Sequence, residues 1–393
     1  MLEALVTGFQ ETFKTDEKPR VFFSPGRVNL IGEHTDYNGG YVFPCALSVG
    51  NYVAILPRND RKLRFFSANF EEVGIIDGNL DALAFRDQDD WANYPKGVLT
   101  ILEQAGYKGE KGFDAYFYGN IPNGAGLSSS ASIELAMAVS WDALNDFGID
   151  RVDMVKLCQR AENEYIGVNC GIMDQFAIGM GKEDHAILLD CNTLEYKYAP
   201  VKLEGFKLVI ANTNQRRGLA DSKYNERRQQ CEKAVADLRQ SVSIKNLCEL
   251  TPDQFDTHQS RITDEIAKRR AKHAVEENAR TIEAHKKLNA GELVAFGELM
   301  NASHRSLKDD YEVTGEHLDA LVESAWEEEN VLGARMTGAG FGGCTVNLVK
   351  EEGLDETLER IAKAYKKRTG TETTFYVADI GGGTQELTTT ESN

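Results

Sequence analysis

Over the first quarter of the chain, apolar residues occur in short runs that alternate with polar residues and are separated by turn residues. This pattern is typical of strands. The predicted strands cover residues 21–24, 41–43, 52–57 and 63–67. Residues 1–13 precede them and repeat apolar residues at helical spacing, with Glu3 and Glu11 inside the pattern. The beginning of the chain therefore predicts an amphipathic helix followed by a sheet.

The middle and the end of the chain carry longer repeats with a helical period. The predicted helices cover residues 92–106, 128–147 and 152–166, and a strand is predicted at 113–119. A strand at 206–213 is followed by charged helices over most of 222–329. The last part of the chain predicts strands at 332–336, 344–349 and 372–378 and a helix at 354–368. The tail from Gly381 is expected to fray.

These elements predict an α+β protein with two lobes. The 393 residues exceed the roughly 250–300 residues at which single hydrophobic cores usually stop growing. A lobe rich in strands precedes a lobe rich in helices, so the predicted domains are residues 1–190 and residues 191–393. The alternative in which the final strand returns to the N-terminal lobe stays open.

The charge of the chain narrows the possible functions. A formal net charge of -18 argues against a general nucleic-acid binder, because affinity for a phosphate backbone comes from clustered Lys and Arg. A nucleotide substrate remains compatible, since a few backbone N–H groups can bind a small anion whatever the global charge. Basic clusters such as residues 268–270 lie among Glu and Asp and are interpreted as solvated helix faces.

The seven cysteines are odd in number and scattered along the chain, which predicts reduced thiols and a cytoplasmic protein. Cys-x-x-Cys and His-x-x-x-His spacings are absent from the sequence, so a transition-metal enzyme is not expected. The N-terminal segment lacks the basic start of a signal peptide. No stretch reaches the roughly 18 uninterrupted apolar residues of a membrane-spanning helix. We therefore expect no membrane association.

Residues 122–132, PNGAGLSSSAS, run from a predicted strand through two glycines and a serine cluster into a helix. Glycines let the backbone approach a ligand closely, and a helix N-terminus presents N–H donors and the positive end of its dipole. The alternative is a helix capped by serine after a glycine turn. Three consecutive serines exceed what one cap requires, which favours an anion site.

Residues 338–343, GAGFGG, match the Gly-x-Gly-x-x-Gly pattern of dinucleotide-binding proteins. That pattern has to open a helix, whereas residues 344–349 are predicted to continue as a strand. A hairpin that brings its backbone close to a ligand is the preferred interpretation, and a tight turn is the alternative. The Walker sequence Gly-x-x-x-x-Gly-Lys-[Ser/Thr] is absent from the chain, so any phosphate site belongs to another kinase class.

Two further segments carry candidate chemistry. Residues 25–40 place Arg, Glu, His, Asp, Tyr and Asn between glycines, a composition that suits a sugar with many hydroxyls, and a solvated turn is the alternative. Residues 169–176 place Asp174 in a mostly apolar stretch. Asp174 could cap a helix, or act as a general base if an Arg keeps it ionised.

Three of these segments together resemble the signature motifs of the GHMP kinases: GRVNLIGEHTDYNGG at 26–40, PNGAGLSSSAS at 122–132 and MTGAGFGG at 336–343. The first resembles the galactokinase signature. The likeness runs from residue 23 to residue 376. It implies an S5-like N-terminal lobe and a ferredoxin-like C-terminal lobe with the active site in the cleft between them. The implied reaction transfers the γ-phosphate of MgATP to the C1 hydroxyl of galactose.

The resemblance also implies roles for individual residues. Asp174 would be the catalytic base, and Arg27 would lie beside it and the transferring phosphate. The implied sugar pocket consists of Glu33, His34, Thr35, Asp36, Gly171, Asp174 and Tyr224. The implied nucleotide contacts are Ser67, which no motif anchors, and Gly124, Ala125, Gly126, Leu127, Ser128, Ser129 and Ser130. Ser130 and Glu162 match the magnesium ligands. The expected partners are galactose and ATP, with no obligate protein partner.

Alternatives within and outside the kinase class remain. N-acetylgalactosamine and arabinose are possible acceptors, because a sequence does not measure the room beside C2. Mevalonate and homoserine kinases lack the Gly-Glu-His-Thr-Asp-Tyr element of residues 32–37. Some galactokinase relatives are non-catalytic galactose sensors that lack two residues of the serine-rich loop. This loop is intact here and Asp174 is present, which favours the enzyme.

Overall fold

The computed structural model describes residues 1–122, 125–215 and 220–387, and this part of the chain contains eleven α-helices and thirteen strands. The helices are α1 (Leu2–Phe13), α2 (Asn93–Gln104), α3 (Ser129–Asn145), α4 (Arg151–Arg160), α5 (Met173–Met180), α6 (Ala220–Leu238), α7 (Pro252–His258), α8 (Glu265–Asn289), α9 (Leu293–Ser306), α10 (Gly315–Trp326) and α11 (Leu354–Thr369). The strands are β1 (Arg20–Asn29), β2 (Tyr41–Val42), β3 (Pro44–Pro57), β4 (Lys62–Ser67), β5 (Ile76–Asn79), β6 (Phe113–Gly119), β7 (His185–Asp190), β8 (Tyr196–Pro200), β9 (Phe206–Asn212), β10 (Val331–Thr337), β11 (Cys344–Lys350), β12 (Thr374–Val377) and β13 (Gln385–Leu387).

The N-terminal sheet has six strands in the order β13-β1-β3-β6-β4-β5, and the strand predicted at 41–43 is β2 of a separate sheet. Its pairs are antiparallel except β4 with β6, which run parallel. Helix α1 packs on one face through Leu5, Phe9 and Phe13, and α3 and α5 pack on the other. Apolar burial on both faces explains why β1 reads as an almost continuous buried strand.

The expectation that the tail frays from Gly381 was wrong for residues 381–387. Residues 385–387 form β13, which pairs antiparallel with β1 at the edge of the first sheet. The segment before β13 is held by three backbone hydrogen bonds. The N–H groups of Gly381, Gly383 and Thr384 donate to the carbonyl oxygens of residues 46, 181 and 178, respectively. The polar composition of the tail conceals this pairing, since an edge strand needs few apolar residues. Residues 388–393 lie outside the described part.

The second lobe is built on a four-stranded antiparallel sheet in the order β10-β11-β9-β12. Helices α10 and α11 pack together, and α10 also contacts β10 and β11. On the opposite face, α8 and α9 share a core cluster with the start of the chain, in which Ile31 and Phe43 lie with Met300 and Val346. This shared core joins the two lobes.

The predicted boundary at residue 190 stays a prediction. A small third sheet, β2-β7-β8, has β7 ending at Asp190 and β8 starting at Tyr196, on either side of that point. The charged helices expected over 222–329 are α6 to α10, and α8 contacts α6, α7, α9 and β2. No helix in the described ranges is long and apolar enough to cross a membrane.

A buried ion pair anchors the segment that leads into α2. Lys96 donates from Nζ to Asp89 Oδ2 at 2.5 Å and to the carbonyl of Ala84 at 2.7 Å. The side chains of Lys96 and Asp89 are 1% and 3% exposed. Removing one partner of such a pair leaves an uncompensated buried charge, which is far more costly than losing a surface pair.

We therefore expect Asp89→Ala to lower the free energy of unfolding by about 3–5 kcal/mol, because Lys96 would lose its counter-ion. Asp87→Ala, in the same turn but on an exposed side chain, is the matched control and should stay within about 0.5 kcal/mol of wild type. Urea unfolding followed by circular dichroism measures both. Equal midpoints for the two variants would show that the pair contributes little.

Candidate functional site

A cleft of about 720 Å³ lies where three segments meet. They are the polar loop of residues 25–40, the serine-rich loop of residues 125–130 and the third glycine-rich segment, residues 338–343. Its volume falls in the range of small-molecule sites. Its described lining consists of Arg27, Glu33, His34, Asp36, Tyr94, Ile121, Pro122, Ala125, Gly126, Leu127, Ser128, Ser129, Ser130, Glu162, Val168, Cys170, Gly171, Met173, Asp174, Ser222, Tyr224, Gly338 and Ala339. Segments distant in sequence thus share one site.

The centre of the cleft is an ion pair between Arg27 and Asp174. Nε and Nη2 of Arg27 donate to Asp174 Oδ1 and Oδ2 at 2.8 and 3.1 Å, and Nη1 donates to the Gly126 carbonyl at 2.9 Å. The Arg27 side chain is 4% exposed and that of Asp174 is 31% exposed. Burial opposes the guanidinium charge, but Asp174 and Glu33 outweigh it and raise the pKa of Arg27. The guanidinium is therefore charged, and the Asp174 carboxyl group is open to the cleft.

The backbone of β1 is shaped to aim Arg27. The register with β3 shifts between Pro25 and Arg27, so Gly26 forms a bulge. The Arg27 N–H donates to the Leu127 carbonyl at 3.0 Å. A Cβ on Gly26 would lie 2.9 Å from that same carbonyl oxygen. The bulge and the glycine therefore let β1 and the serine-rich loop approach closely.

The serine-rich loop ends at the start of α3. Ser128 is the residue before the helix, with a φ of +62°, and its hydroxyl donates to Asp174 Oδ2 at 2.5 Å instead of capping the helix. Ser129 and Ser130 form the first turn of α3 and line the cleft. By helix geometry, first-turn N–H groups have no partner within the helix. The loop thus presents donors and a helix dipole toward the cleft.

Glu162 faces the cleft from a π-helical turn. The predicted helix at 152–166 is α4 up to Arg160 and then a π-helix at Ala161–Ile166. Such wider turns are frequent at functional sites. Ser130 Oγ lies 3.4 Å from Glu162 Oε1, and Gln175 Nε2 donates to Glu162 Oε2 at 2.8 Å. Burial and the nearby Asp174 carboxylate raise the pKa of Glu162 to about 7.

The charges of the cleft suit a divalent cation. Among the described lining residues Arg27 is the one Lys or Arg side chain, and it faces the carboxyl groups of Glu33, Asp36, Glu162 and Asp174. A polyphosphate entering this acidic surface needs cationic compensation. No cluster of three or more His, Cys, Asp or Glu that could hold a metal alone was found in the described ranges. A magnesium ion bound by one carboxylate, a hydroxyl and substrate phosphates fits this donor set.

The polar loop brings His34 and Asp36 into the cleft. Burial lowers the pKa of His34 to about 3, so the ring is neutral. Its Nε2 lies 3.0 Å from the Ala339 carbonyl, which can only accept, so Nε2 carries the proton and Nδ1 accepts from the Tyr37 hydroxyl at 2.7 Å. Desolvation and the Asp174 carboxylate raise the pKa of Asp36 to about 6.

The third glycine-rich segment forms the loop between β10 and β11, as the hairpin interpretation predicts. Gly338 and Ala339 line the cleft. The N–H of Gly338 donates to Glu33 Oε1 at 2.9 Å. A Cβ on Gly340, whose φ is +86°, would lie 2.2 Å from the Val313 carbonyl oxygen. The backbone of this segment therefore contacts the polar loop directly.

Most predicted site residues lie together in the cleft, with three exceptions. Thr35 is fully buried behind the lining and donates to the carbonyls of Gly32 and Tyr41, so it supports the loop. Ser67 is not among the described lining residues, and its hydroxyl accepts from the Asn69 N–H at 3.2 Å. Gly124 lies outside the described residues.

Several residues at the site were missed from the sequence. Glu134 is fully buried one turn into α3, and Gln175 Nε2 bridges it to Glu162, with 3.0 Å to Glu134 Oε2. Tyr94 lines the cleft from the start of α2. A carboxylate on the otherwise apolar face of α3 was the available signal for Glu134. Tyr94 carried no signal, because aromatic residues are common in amphipathic helices.

Comparisons with known families cover most of the chain. The galactokinase galactose-binding signature matches residues 7–57, the GHMP kinase N-terminal domain matches 93–182, and the GHMP kinase C-terminal domain matches 284–367. A curated galactokinase from Fusobacterium nucleatum is 57% identical over 98% of this chain and 99% of its own length. One from Bacillus subtilis is 54% identical over the same shares of the two chains.

Solved structures give the same family and the same fold. A crystal structure of Lactococcus lactis galactokinase complexed with galactose superposes with a TM-score of 0.96, at 48% identity, over 98% of this chain and 100% of the other. A Methanococcus jannaschii mevalonate kinase has a TM-score of 0.66 at 20% identity, over 93% and 99% of the two chains. The second likeness concerns the fold alone.

Gly32 offers a test of how tightly the polar loop is packed. Its φ is +95°, and a Cβ there would lie 2.8 Å from the Tyr41 carbonyl oxygen and 2.9 Å from Thr281 Oγ1. Gly205 also has a positive φ, +76°, but nothing lies within 4 Å of its Cβ position. Gly205→Ala should therefore cost about 1–2 kcal/mol for the backbone conformation alone.

We expect Gly32→Ala to destabilise the protein by at least about 1 kcal/mol more than Gly205→Ala, because steric overlap adds to the backbone cost. Urea midpoints of the two variants measure the difference. Equal losses of stability would mean that the loop yields at no cost.

Proposed function

Because the chain belongs to the galactokinase family, we propose that it transfers the γ-phosphate of ATP to the C1 hydroxyl of galactose, giving galactose 1-phosphate and ADP. The observation that carries this proposal is the bidentate pair of Arg27 and Asp174 beside the serine-rich loop. It provides a candidate base and a candidate phosphate-binding surface within one cleft. Phosphoryl transfer depends on positioning and on charge compensation of this kind.

ATP would bind with its phosphates against the loop from Ala125 to Ser130. The support for this role is the helix start at Ser129, whose first-turn N–H groups and dipole favour an anion. Gly124 would belong to the same loop. Ser67 as a nucleotide contact stays a prediction, since its hydroxyl already accepts a backbone N–H.

Ser130 and Glu162 would hold the magnesium ion, as their 3.4 Å separation and shared exposure to the cleft allow. When bound, Mg²⁺ neutralises charge on the phosphate oxygens. Gln175 orients Glu162 through a hydrogen bond to its other oxygen. Burial and the Asp174 carboxylate raise the pKa of Glu162, and a bound cation would offset that rise.

Asp174 would accept the proton of the C1 hydroxyl as that oxygen attacks the γ-phosphorus in line. Its two oxygens accept from Arg27, and Oδ2 also accepts from the Ser128 hydroxyl, so its orientation is fixed before substrate binds. Arg27 would hold the base in place and offset charge on the transferring phosphoryl group. The incoming C1 hydroxyl would replace the Ser128 hydroxyl as the donor to Asp174 Oδ2.

The galactose hydroxyls would contact Glu33, His34, Asp36, Gly171 and Tyr224, which line the cleft beside Asp174. Thr35 would act indirectly, by holding the loop. Gly171 lies so close to Asp36 that a Cβ there would be 1.9 Å from Asp36 Oδ2.

A cytoplasmic location is further proposed, because all seven cysteines are free thiols.

The activity is tested by following ADP release with galactose, N-acetylgalactosamine and arabinose as acceptors. Galactose should give the highest kcat/KM, and Asp174→Asn should lower its kcat by at least about 100-fold while calorimetry still detects galactose binding. Asp184→Asn, an exposed position outside the cleft, is the control. Near-wild-type turnover in Asp174→Asn would remove Asp174 as the base, and a preference for another sugar would overturn the substrate.

Asp36 gives a pH test of the sugar site. Its pKa is raised to about 6, so the carboxylate that accepts from a sugar hydroxyl is present above pH 6 and is lost below it. At saturating MgATP, kcat/KM for galactose should fall about tenfold per pH unit below that value. Asp36→Asn should lack this limb, because an amide does not titrate. An unchanged limb in that variant would assign the titration to another group.

A further inference from the structure

Glu277, in the middle of α8, accepts hydrogen bonds from the polar loop although it lies in the second lobe. Its Oε1 accepts from the N–H groups of Gly32 and Glu33 at 3.1 and 3.3 Å and from the Ser303 hydroxyl at 2.6 Å. Its Oε2 accepts from Arg280 Nε at 2.8 Å. The side chain is fully buried. One anion therefore holds two successive backbone N–H groups of the loop.

Arg335, on β10, holds the other side of the same loop. Its Nη1 donates to the carbonyls of Asn29 and Leu30 at 3.0 and 3.4 Å and lies 3.5 Å from Glu33 Oε1. Its Nε donates to Ser303 Oγ at 3.1 Å. The side chain is fully buried. A cation thus binds two carbonyls of the segment whose N–H groups are bound by an anion.

The two side chains work as one unit. Arg335 Nη2 lies 3.8 Å from Glu277 Oε1, and Ser303 bonds to both. Neither charged residue is among the described residues that line the cleft. Both contact Glu33, which does line the cleft. Glu277 accepts from the Glu33 backbone N–H, and Arg335 lies beside the Glu33 carboxyl group. Their contacts therefore act on the cleft through Glu33.

We propose that Glu277 and Arg335 form a charge clamp that fixes Glu33 in the orientation required for galactose, so that both are positioning residues for sugar binding. The inference rests on the proposed function, in which Glu33 contacts the sugar. It also gives the helical segment around α8 a role in substrate recognition.

The negative charge of Glu277 is stable. Burial alone would raise the pKa of Glu277, but Arg280 and Arg335 outweigh it and bring the pKa down to about 2. A glutamine at position 277 cannot replace the carboxylate. If its amide oxygen took the Oε1 place, its NH₂ would face the Arg280 guanidinium, and in the reverse orientation the NH₂ would face the N–H groups of Gly32 and Glu33. In either orientation, the glutamine NH₂ donor faces another N–H donor and no hydrogen bond forms between them.

The test compares Glu277→Gln with Glu276→Gln. Glu276 is the neighbouring carboxylate of α8, half-exposed and 3.4 Å from Arg280, without a contact to the loop. We expect Glu277→Gln to raise the galactose Kd, measured by calorimetry, at least tenfold and to leave the KM for MgATP within twofold. Glu276→Gln should leave both within twofold. The clamp would be overturned if Glu277→Gln lost thermal stability but kept its galactose affinity. It would also be overturned if the galactose Kd and the KM for MgATP rose by the same factor.

A double-mutant cycle with Glu33→Gln separates this inference from its premise. If Glu277 acts through Glu33, the double variant should bind galactose about as weakly as Glu33→Gln alone, whereas independent effects would multiply. Normal galactose affinity in Glu33→Gln would refute the proposed role of Glu33. Weak binding in that variant with normal binding in Glu277→Gln would refute the clamp alone.

Two further measurements apply if Glu277→Gln does not fold. Arg335→Lys keeps the charge but loses the planar fork that reaches two carbonyls, so it should raise the galactose Kd at least threefold without changing the KM for MgATP. Hydrogen exchange of the wild-type enzyme should find the amides of Gly32 and Glu33 protected before galactose is added. Rapid exchange that slows only with galactose would contradict a clamp formed in the free enzyme.

Discussion

A buried guanidinium needs a fixed counter-ion, and in this cleft Arg27 obtains it from Asp174. Three separate segments have to meet for that pairing: the bulge of β1, the carbonyl of Gly126 and the first turn of α5. The serine-rich loop is thereby held against β1, and α5 is held against the loop. The catalytic proposal and the contact between these three segments therefore depend on the same ion pair, so the orientation of the proposed base is set by the fold.

Much of the fold was predictable, because periodicity reports which side of an element is buried. Strands β1, β3, β4 and β6 of the first sheet, the helix at α3 and the strand-strand-helix-strand order at the end of the chain follow from apolar spacing, whereas β5, β7 and β8 were not predicted. The prediction failed at β13, where pairing depends on backbone hydrogen bonds and a few polar residues. It was also incomplete at residues 161–166, because a π-turn differs from an α-helix in hydrogen-bond register and not in composition.

The site divides in the same way. Loops rich in glycine and serine, and the polar loop of residues 25–40, were visible because such compositions are unusual and have few structural explanations. Glu277 and Arg335 were not visible, since each is a single charged residue in a charged helix or an ordinary strand. Their importance arises from burial and from a partner more than 240 positions away in the chain. Only tertiary structure supplies that information.

The polar loop explains why so much of the second lobe is needed for a small acceptor site. A segment with glycines at 26, 32, 39 and 40 has little intrinsic preference for one conformation, yet a site that distinguishes hydroxyl groups needs fixed partners. Leu30 and Ile31 anchor the loop in the shared core, but apolar contacts cannot fix the polar groups that face the cleft. Its backbone is also bound by Glu277 from α8 and Arg335 from β10, and the Glu33 carboxyl group accepts from the Gly338 N–H. Because Glu277 and Arg335 hold the loop without lining the cleft, the polar side chains that face the cleft stay free to bind a substrate. Electrostatic preorganisation requires this arrangement.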